Sequence, residues 1–112
     1  MHIDFKNNKL RKQLSSAPEI KRHFGSNAKR VGSRLADMEA ADNLAILIQI
    51  PAANCHSLSG DRKGQWAVNI SSNHRLIFEI MNHPIPMIRV NEINLKLVDN
   101  IRLLKIQIVL NH

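Results

Sequence analysis

Hydrophobic residues recur at three- and four-residue spacings through the first third of the chain and at alternate positions through much of the rest. His2–Phe5 reads as a short strand. Leu10 and Leu14 lie four apart, which predicts a short basic helix over about 6–15. Ser16 followed by Pro18 makes a helix start, a cap and then a first-turn proline. The helix that follows, with Ile20 and Phe24 inward, should stop at Gly25. Ser26 can cap a third, where Ala28, Val31, Leu35 and Met38 build one apolar face over about 27–42. The apolar segment Leu44–Ile50, bracketed by Asp42-Asn43 and Pro51, reads as a buried helical turn or a loop passing under a sheet.

The period then changes to two. His56 and Leu58 lead into Gly60–Gly64, a hairpin turn. Trp66, Val68 and Ile70 alternate with Ala67 and Asn69. After Ser71-Ser72-Asn73, Leu76, Phe78 and Ile80 alternate with Arg75, Ile77 and Glu79. Asn82-His83-Pro84 and Pro86 break the chain. A final strand covers about 101–109, with Ile106 and Ile108 inward. Strands 65–71 and 74–80 must be antiparallel, because their connection is too short for a crossover. Helices first and strands later predict an α+β fold, with N-terminal helices packed on one face of a small antiparallel sheet. A length of 112 residues supports a single domain, 1–112.

Composition narrows the function. Aromatics are few (Trp66, Phe5, Phe24, Phe78 and no Tyr), which argues against a platform of stacked bases. The single cysteine, Cys55, excludes an internal disulfide, and no zinc-ligand spacing exists. A reducing, cytoplasmic location is expected. The first residues lack the apolar stretch of a signal peptide. The longest apolar run, Leu44–Ile50, is too short to cross a bilayer, so no membrane partner is expected. Net charge is +7, and residues 1–34 carry all of it, with nine Lys or Arg against Asp4 and Glu19. Such a cluster attracts polyanions, although a solvated helical surface would look the same.

Cleaving RNA without a metal requires removing a proton from a 2′-OH, stabilising a phosphorane and protonating the 5′-oxygen. Histidine can do either proton task near neutrality. Arginine is always charged and forks onto phosphate oxygens. The chain offers His56 on a strand, Arg62 and Lys63 in a glycine-bracketed turn, Arg75 on a neighbouring strand, and His112 at the end. Spacing alone leaves structural readings open. His56 could be a structural histidine, Arg75 could pair with Glu79, and Arg62 and Lys63 could decorate a turn. Trp66 reads as core and His74 as packing in a turn. Cys55 and His56 do not make a nucleophilic pair, because adjacent strand residues point to opposite faces.

The segment from His56 to Trp66, continued from Asn73 to Phe78, carries a sharper signal. It has the pattern His-x-Leu-x-Gly-Asp-Arg-x-Gly-x-Trp, then Asn-x-Arg-x-x-Phe. This resembles the signature of the HigB toxins, the plasmid-maintenance killer group of the RelE/ParE superfamily. The resemblance extends over the N-terminal helices, including Arg34-Leu35 and Ala40-Ala41, and resumes at Ile101–Val109. Residues of about 81–100 stand outside it, as a lengthened loop or hairpin connection.

The resemblance implies a RelE/ParE-like fold and a ribosome-dependent messenger-RNA endonuclease that uses no metal or other cofactor. It also implies a helix-turn-helix antitoxin, HigA-like, that holds the toxin inactive and with it represses their operon at operator DNA. His56, Arg75 and His112 would be catalytic. Arg62 and Lys63 would bind the RNA at the cut, and Lys9, Arg11 and Lys12 would bind it along the basic helix. The family ending Asp-Tyr-His reads Leu110-Asn111-His112 here. Leu110 can neither act as a base nor orient a histidine, and Asn111 can hydrogen-bond but not shuttle a proton near neutrality. Two other readings follow from this departure and from the superfamily. One is a weak or inactive homologue that only binds antitoxin and DNA as a repressor complex. The other is a ParE-like gyrase inhibitor.

Overall fold

The computed structural model describes residues 1–60 and 64–109. A short strand β1 (His2–Phe5) opens the chain and is followed by four helices. α1 (Asn8–Gln13) starts where the Asn7 side chain accepts the Leu10 N–H at 2.9 Å. α2 (Ala17–Phe24) starts where Ser16 accepts the Glu19 N–H at 3.3 Å, with proline in its first turn. It ends at Gly25, whose φ of 53° lies in the region that favours glycine. α3 (Ala28–Ala40) is entered through a 3-10 turn at Gly25–Asn27 rather than through a Ser26 cap. The ambiguous apolar segment is helical. In α4 (Leu44–Ile48), Asn43 caps the Ile46 N–H at 3.0 Å, and Leu44 and Leu47 are fully buried. No helix among the described residues is long and apolar enough to cross a membrane.

The remaining strands are β2 (His56–Ser57), β3 (Gln65–Ser71), β4 (His74–Ile80), β5 (Met87–Arg89), β6 (Glu92–Ile93) and β7 (Asn100–Ile108). Five of them form one sheet in the order β1-β7-β4-β3-β2. The pairs β2–β3, β3–β4 and β4–β7 are antiparallel, as expected. The pair β1–β7 is parallel. That edge departs from an all-antiparallel sheet because the four helices and the other strands lie between its two strands, long enough for a parallel return. β5 and β6 form a separate hairpin turning at Asn91, φ 65°. Pro84 and Pro86 precede this hairpin rather than prevent it.

Trp66, Val68, Ile70, Leu76, Phe78, Ile101 and Leu103 face the helices and meet Leu10, Leu14, Ile20, Val31, Leu35, Met38, Leu44 and Leu47. Trp66 stacks near Phe78 with ring centroids 6.5 Å apart, as a core residue should. Ile106 joins this core, but Ile108 is 59% exposed instead of inward. β1 pairs with β7 only as far as Leu103, so the far end of β7 projects past its neighbour.

One charged side chain is buried in the interface between helix and sheet. Arg34 of α3 donates from Nε to the Asn69 carbonyl at 2.7 Å and from Nη1 to Asp37 Oδ2 at 2.6 Å. It thereby holds β3 where the β3–β4 register shifts, between Asn69 and Ser71. Breaking a buried pair leaves its partners uncompensated. Arg34→Leu should lower unfolding stability by about 3 kcal/mol, measured by urea titration.

Candidate active site

Register decides which side chains share a face, because directly opposed residues in an antiparallel pair point the same way. His56 lies opposite Ala67, Ala67 opposite Ile77, and Ile77 opposite Lys105. In the next row Asn69 lies opposite Arg75, and Arg75 opposite Gln107. Ala67 and Ile77 are both fully buried, yet neither belongs to the helix-side cluster. These two rows therefore form the sheet face turned away from the helices. His56 and Arg75 share it, two strands and one row apart. Strand spacings set their Cα atoms about 12 Å apart, a span that two side chains can close on one phosphodiester.

His56 is held by the backbone. Its Nδ1 lies 2.7 Å from the carbonyl oxygen of Asn54, a residue in the left-handed region at φ 41° and ψ 50°. A carbonyl can only accept, so Nδ1 carries the hydrogen in this bond. The neutral ring then presents its lone pair at Nε2. Arg75 places Nη2 at 3.4 Å from Gln107 Oε1. Its Nε is buried with no hydrogen-bond partner among the described residues. A buried donor left unmatched is unfavourable, and it sits on the guanidinium edge that forks onto phosphate oxygens.

Two carboxylates on this face, Asp4 and Glu79, are each paired with an arginine, Asp4 with Arg11. Glu79 accepts from Arg102 Nε at 2.8 Å and more closely from Nη2. Glu79 thus pairs with Arg102 and not with Arg75. Lys105 joins the face by an irregularity that period-two reading misses. Between Ile77 and Phe78 the register with β7 shifts, so that Leu103 opposes Phe78 while Lys105 opposes Ile77. The extra residue turns position 105 outward, where strict alternation from Leu103 would point it to the core.

The basic helix is elsewhere. Lys9, Arg11 and Lys12 lie on α1, which follows β1 at the sheet edge opposite to His56. Arg11 is engaged already, with Asp4 at 2.8 Å and its guanidinium 4.9 Å from the Phe5 ring centroid. The Phe5 N–H, and then Arg11, hold the Asp4 carboxyl below its usual value. Lys9 and Lys12 line a cleft of about 150 Å³ with Gln13, Arg22 and His23. Arg62, Lys63 and His112 lie outside the described residues. Gly60 and Gly64, at φ 67° and 89°, precede and follow the first two in the chain, and the Leu58 N–H donates to the Gln65 carbonyl at 2.8 Å.

Three other groups take structural places. Cys55 is buried in the core, and burial pushes its thiol up to about 12, so the neighbours Cys55 and His56 do sit in different environments. His74 Nδ1 lies 2.9 Å from Ser71 Oγ and 3.0 Å from Asn73 Oδ1 in the β3–β4 turn. His23 Nε2 lies 3.3 Å from Glu19 Oε2.

Helices on one face of a five-stranded sheet, with a parallel first strand, give the chain the fold of small RelE/ParE-like toxins. It superposes on the YoeB/ParE toxin from Agrobacterium tumefaciens with a TM-score of 0.53 and 10% identity, covering 98% of this chain and 100% of that one. YafQ from E. coli strain BL21(DE3) gives 0.49 and 12% identity over 95% of this chain and 90% of its own. No family model and no curated protein sequence matches the chain. At such identities the likeness is one of fold.

Two measurements check the local geometry. Nitrogen-detected NMR of the neutral imidazole should find the His56 proton on Nδ1. At mildly alkaline pH the native Cys55 thiolate fraction should be about 10³-fold below that of an ordinary thiol. Ellman's reagent should therefore modify the folded protein only as fast as it opens.

Proposed function

We propose that the chain is the toxin of a toxin–antitoxin pair, a HigB-like, metal-independent endoribonuclease that cuts messenger RNA on the translating ribosome. The observation that carries this reading is the shared outer face of His56 and Arg75, the first with Nε2 presented and the second with a buried Nε that has no hydrogen-bond partner among the described residues. The RelE/ParE-like fold supports it. In this reading His56 Nε2 takes the 2′-OH proton as the 2′-oxygen attacks phosphorus. Arg75 and Lys105 hold the negative charge that builds on the phosphorane oxygens, a task Arg62 and Lys63 would share. The 5′-oxygen leaves with a proton delivered by His112, and a 2′,3′-cyclic phosphate remains. The excess cations of α1 and α2, Lys9 and Lys12 among them, dock on ribosomal RNA, while Arg11 contributes through its outer edge only. The cognate partner is a HigA-like helix-turn-helix antitoxin that brings the pair to operator DNA, and the protein works in the cytoplasm.

Translating ribosomes carrying a defined message provide the test. Wild type should cut the message, and His56→Ala and Arg75→Ala should each lower the cleavage rate by about 10²–10⁴ while circular dichroism stays native. A wild-type protein that binds its antitoxin but leaves the message intact would instead be a repressor-only homologue. Gyrase-trapped DNA breaks without RNA cleavage would make it a ParE-like poison. Either result removes the nuclease reading.

A further inference from the structure

β7 has a neighbour on only part of one side. β1 pairs with it from Asn100 to Leu103, and the last bond runs from the Lys6 N–H to the Leu103 carbonyl at 2.9 Å. β7 continues to Ile108, with β4 alongside on the other side. Where β1 stops, a recess of about 240 Å³ opens between α1 and β7, lined by Leu10, Phe24 and Ile106 and by Lys9 and Lys105.

The ladder shows which backbone groups face that side. The Val109 N–H donates to the Asn73 carbonyl at 2.7 Å, continuing the register in which Ile108 opposes His74. In an antiparallel ladder, opposed residues alternate between bonding each other and turning their bonds outward. Gln107 and Lys105 therefore bond toward β4, whereas Ile106 and Ile108 turn their N–H and C=O groups away from it. No backbone bond to either residue occurs on that side among the described residues. Ile108 is also 59% exposed, the large apolar side chain at the open end of the strand.

We propose that this edge takes an extended acidic segment of a partner protein as an added strand beside β7. Three features converge on that occupant. The outward backbone groups of Ile106 and Ile108 match the ladder of a peptide strand. The recess of Leu10, Phe24 and Ile106 takes a bulky apolar side chain. Lys9 and Lys105, with Lys12 and Arg22 in the adjoining cleft, complement carboxylates. A second copy of the chain would set the same cations against one another. RNA would meet the cations but would use neither the backbone ladder nor the apolar recess. The segment should therefore alternate apolar and acidic residues. This inference goes beyond the proposed nuclease activity and stands without it.

The test selects binders from a displayed library of random peptides against the full chain, then follows one synthetic, enriched peptide by fluorescence anisotropy and amide hydrogen exchange. Enriched peptides should alternate apolar and acidic residues, and binding should slow exchange at the Ile106 and Ile108 amides. Ile108→Pro removes an outward N–H that β4 does not use, so it should weaken binding about tenfold without disturbing the sheet. Should that variant fail to fold, Lys9→Glu combined with Lys105→Glu should weaken the acidic peptide by a similar factor. Peptides without acidic excess, protection elsewhere on the chain, or affinity indifferent to these changes would overturn the proposal. So would protection of the same two amides by self-association or by a single-stranded RNA oligonucleotide. Peptide binding and exchange are read on the free chain, so failure of this proposal is distinguished from failure of the nuclease reading, which is read by message cleavage with the wild-type protein.

Discussion

Ala67 lies opposite Ile77 near the middle of the sheet, and neither is exposed, although both sit on the face turned away from the helices. This register fixes everything around it. A slip of one residue would send Trp66, Val68, Leu76 and Phe78 out of the core and reverse each neighbouring strand position. Each such side chain contributes about 1.5–3 kcal/mol by its burial, so a slipped sheet would lose several such terms at once. The core thus selects the pairing, and the pairing brings His56, Asn69, Arg75 and Gln107 together on the opposite face. Arg34 reinforces it from below by holding the Asn69 carbonyl, one position from where the register shifts.

Two positive regions result, and they approach each other only where Lys9 and Lys105 line one recess. The excess charge of the first 34 residues belongs to helices at the β1 edge, where Asp4 takes up Arg11 and Lys9, Lys12 and Arg22 surround a cleft. The outer sheet face carries Arg75 and Lys105, with Glu79 taken up by Arg102. A cationic helical flank acts over a distance, by drawing polyanions or acidic chains toward the molecule. The sheet face acts at contact, through groups whose positions are set by strand pairing. Net charge alone would have merged the two.

Much of the architecture was legible in residue spacing. Leu10, Ile20, Val31, Leu35 and Met38 announce the helical core face, and Trp66 through Ile70 and Leu76 through Ile80 announce two strands with a defined inside. Their alternation also puts Arg75 outside, and the motif around His56 points to the same face. Other features depended on tertiary context. Nothing local marks β1 as parallel to β7, since its partner lies nearly a hundred residues away. Ile108 alternates correctly for an inward residue but runs past the helices. Lys105 reaches the outer face through a bulge, a feature of strand pairing and not of composition. Glu79 shares a face with Arg75 in the alternation, but it lies directly opposite Arg102, a partner that only the cross-strand register reveals.

The hydrogen bond that orients His56 ends on a peptide carbonyl, not on a side chain. Every amino acid carries that oxygen, so exchanging the side chain at position 54 leaves the acceptor chemically present. What has to persist is the left-handed turn of the backbone, which asparagine and glycine tolerate and branched residues resist. Drift in the neighbouring sequence can therefore be absorbed with little consequence for the imidazole. Single changes that disorient the imidazole should concentrate at residues that force position 54 into an extended conformation.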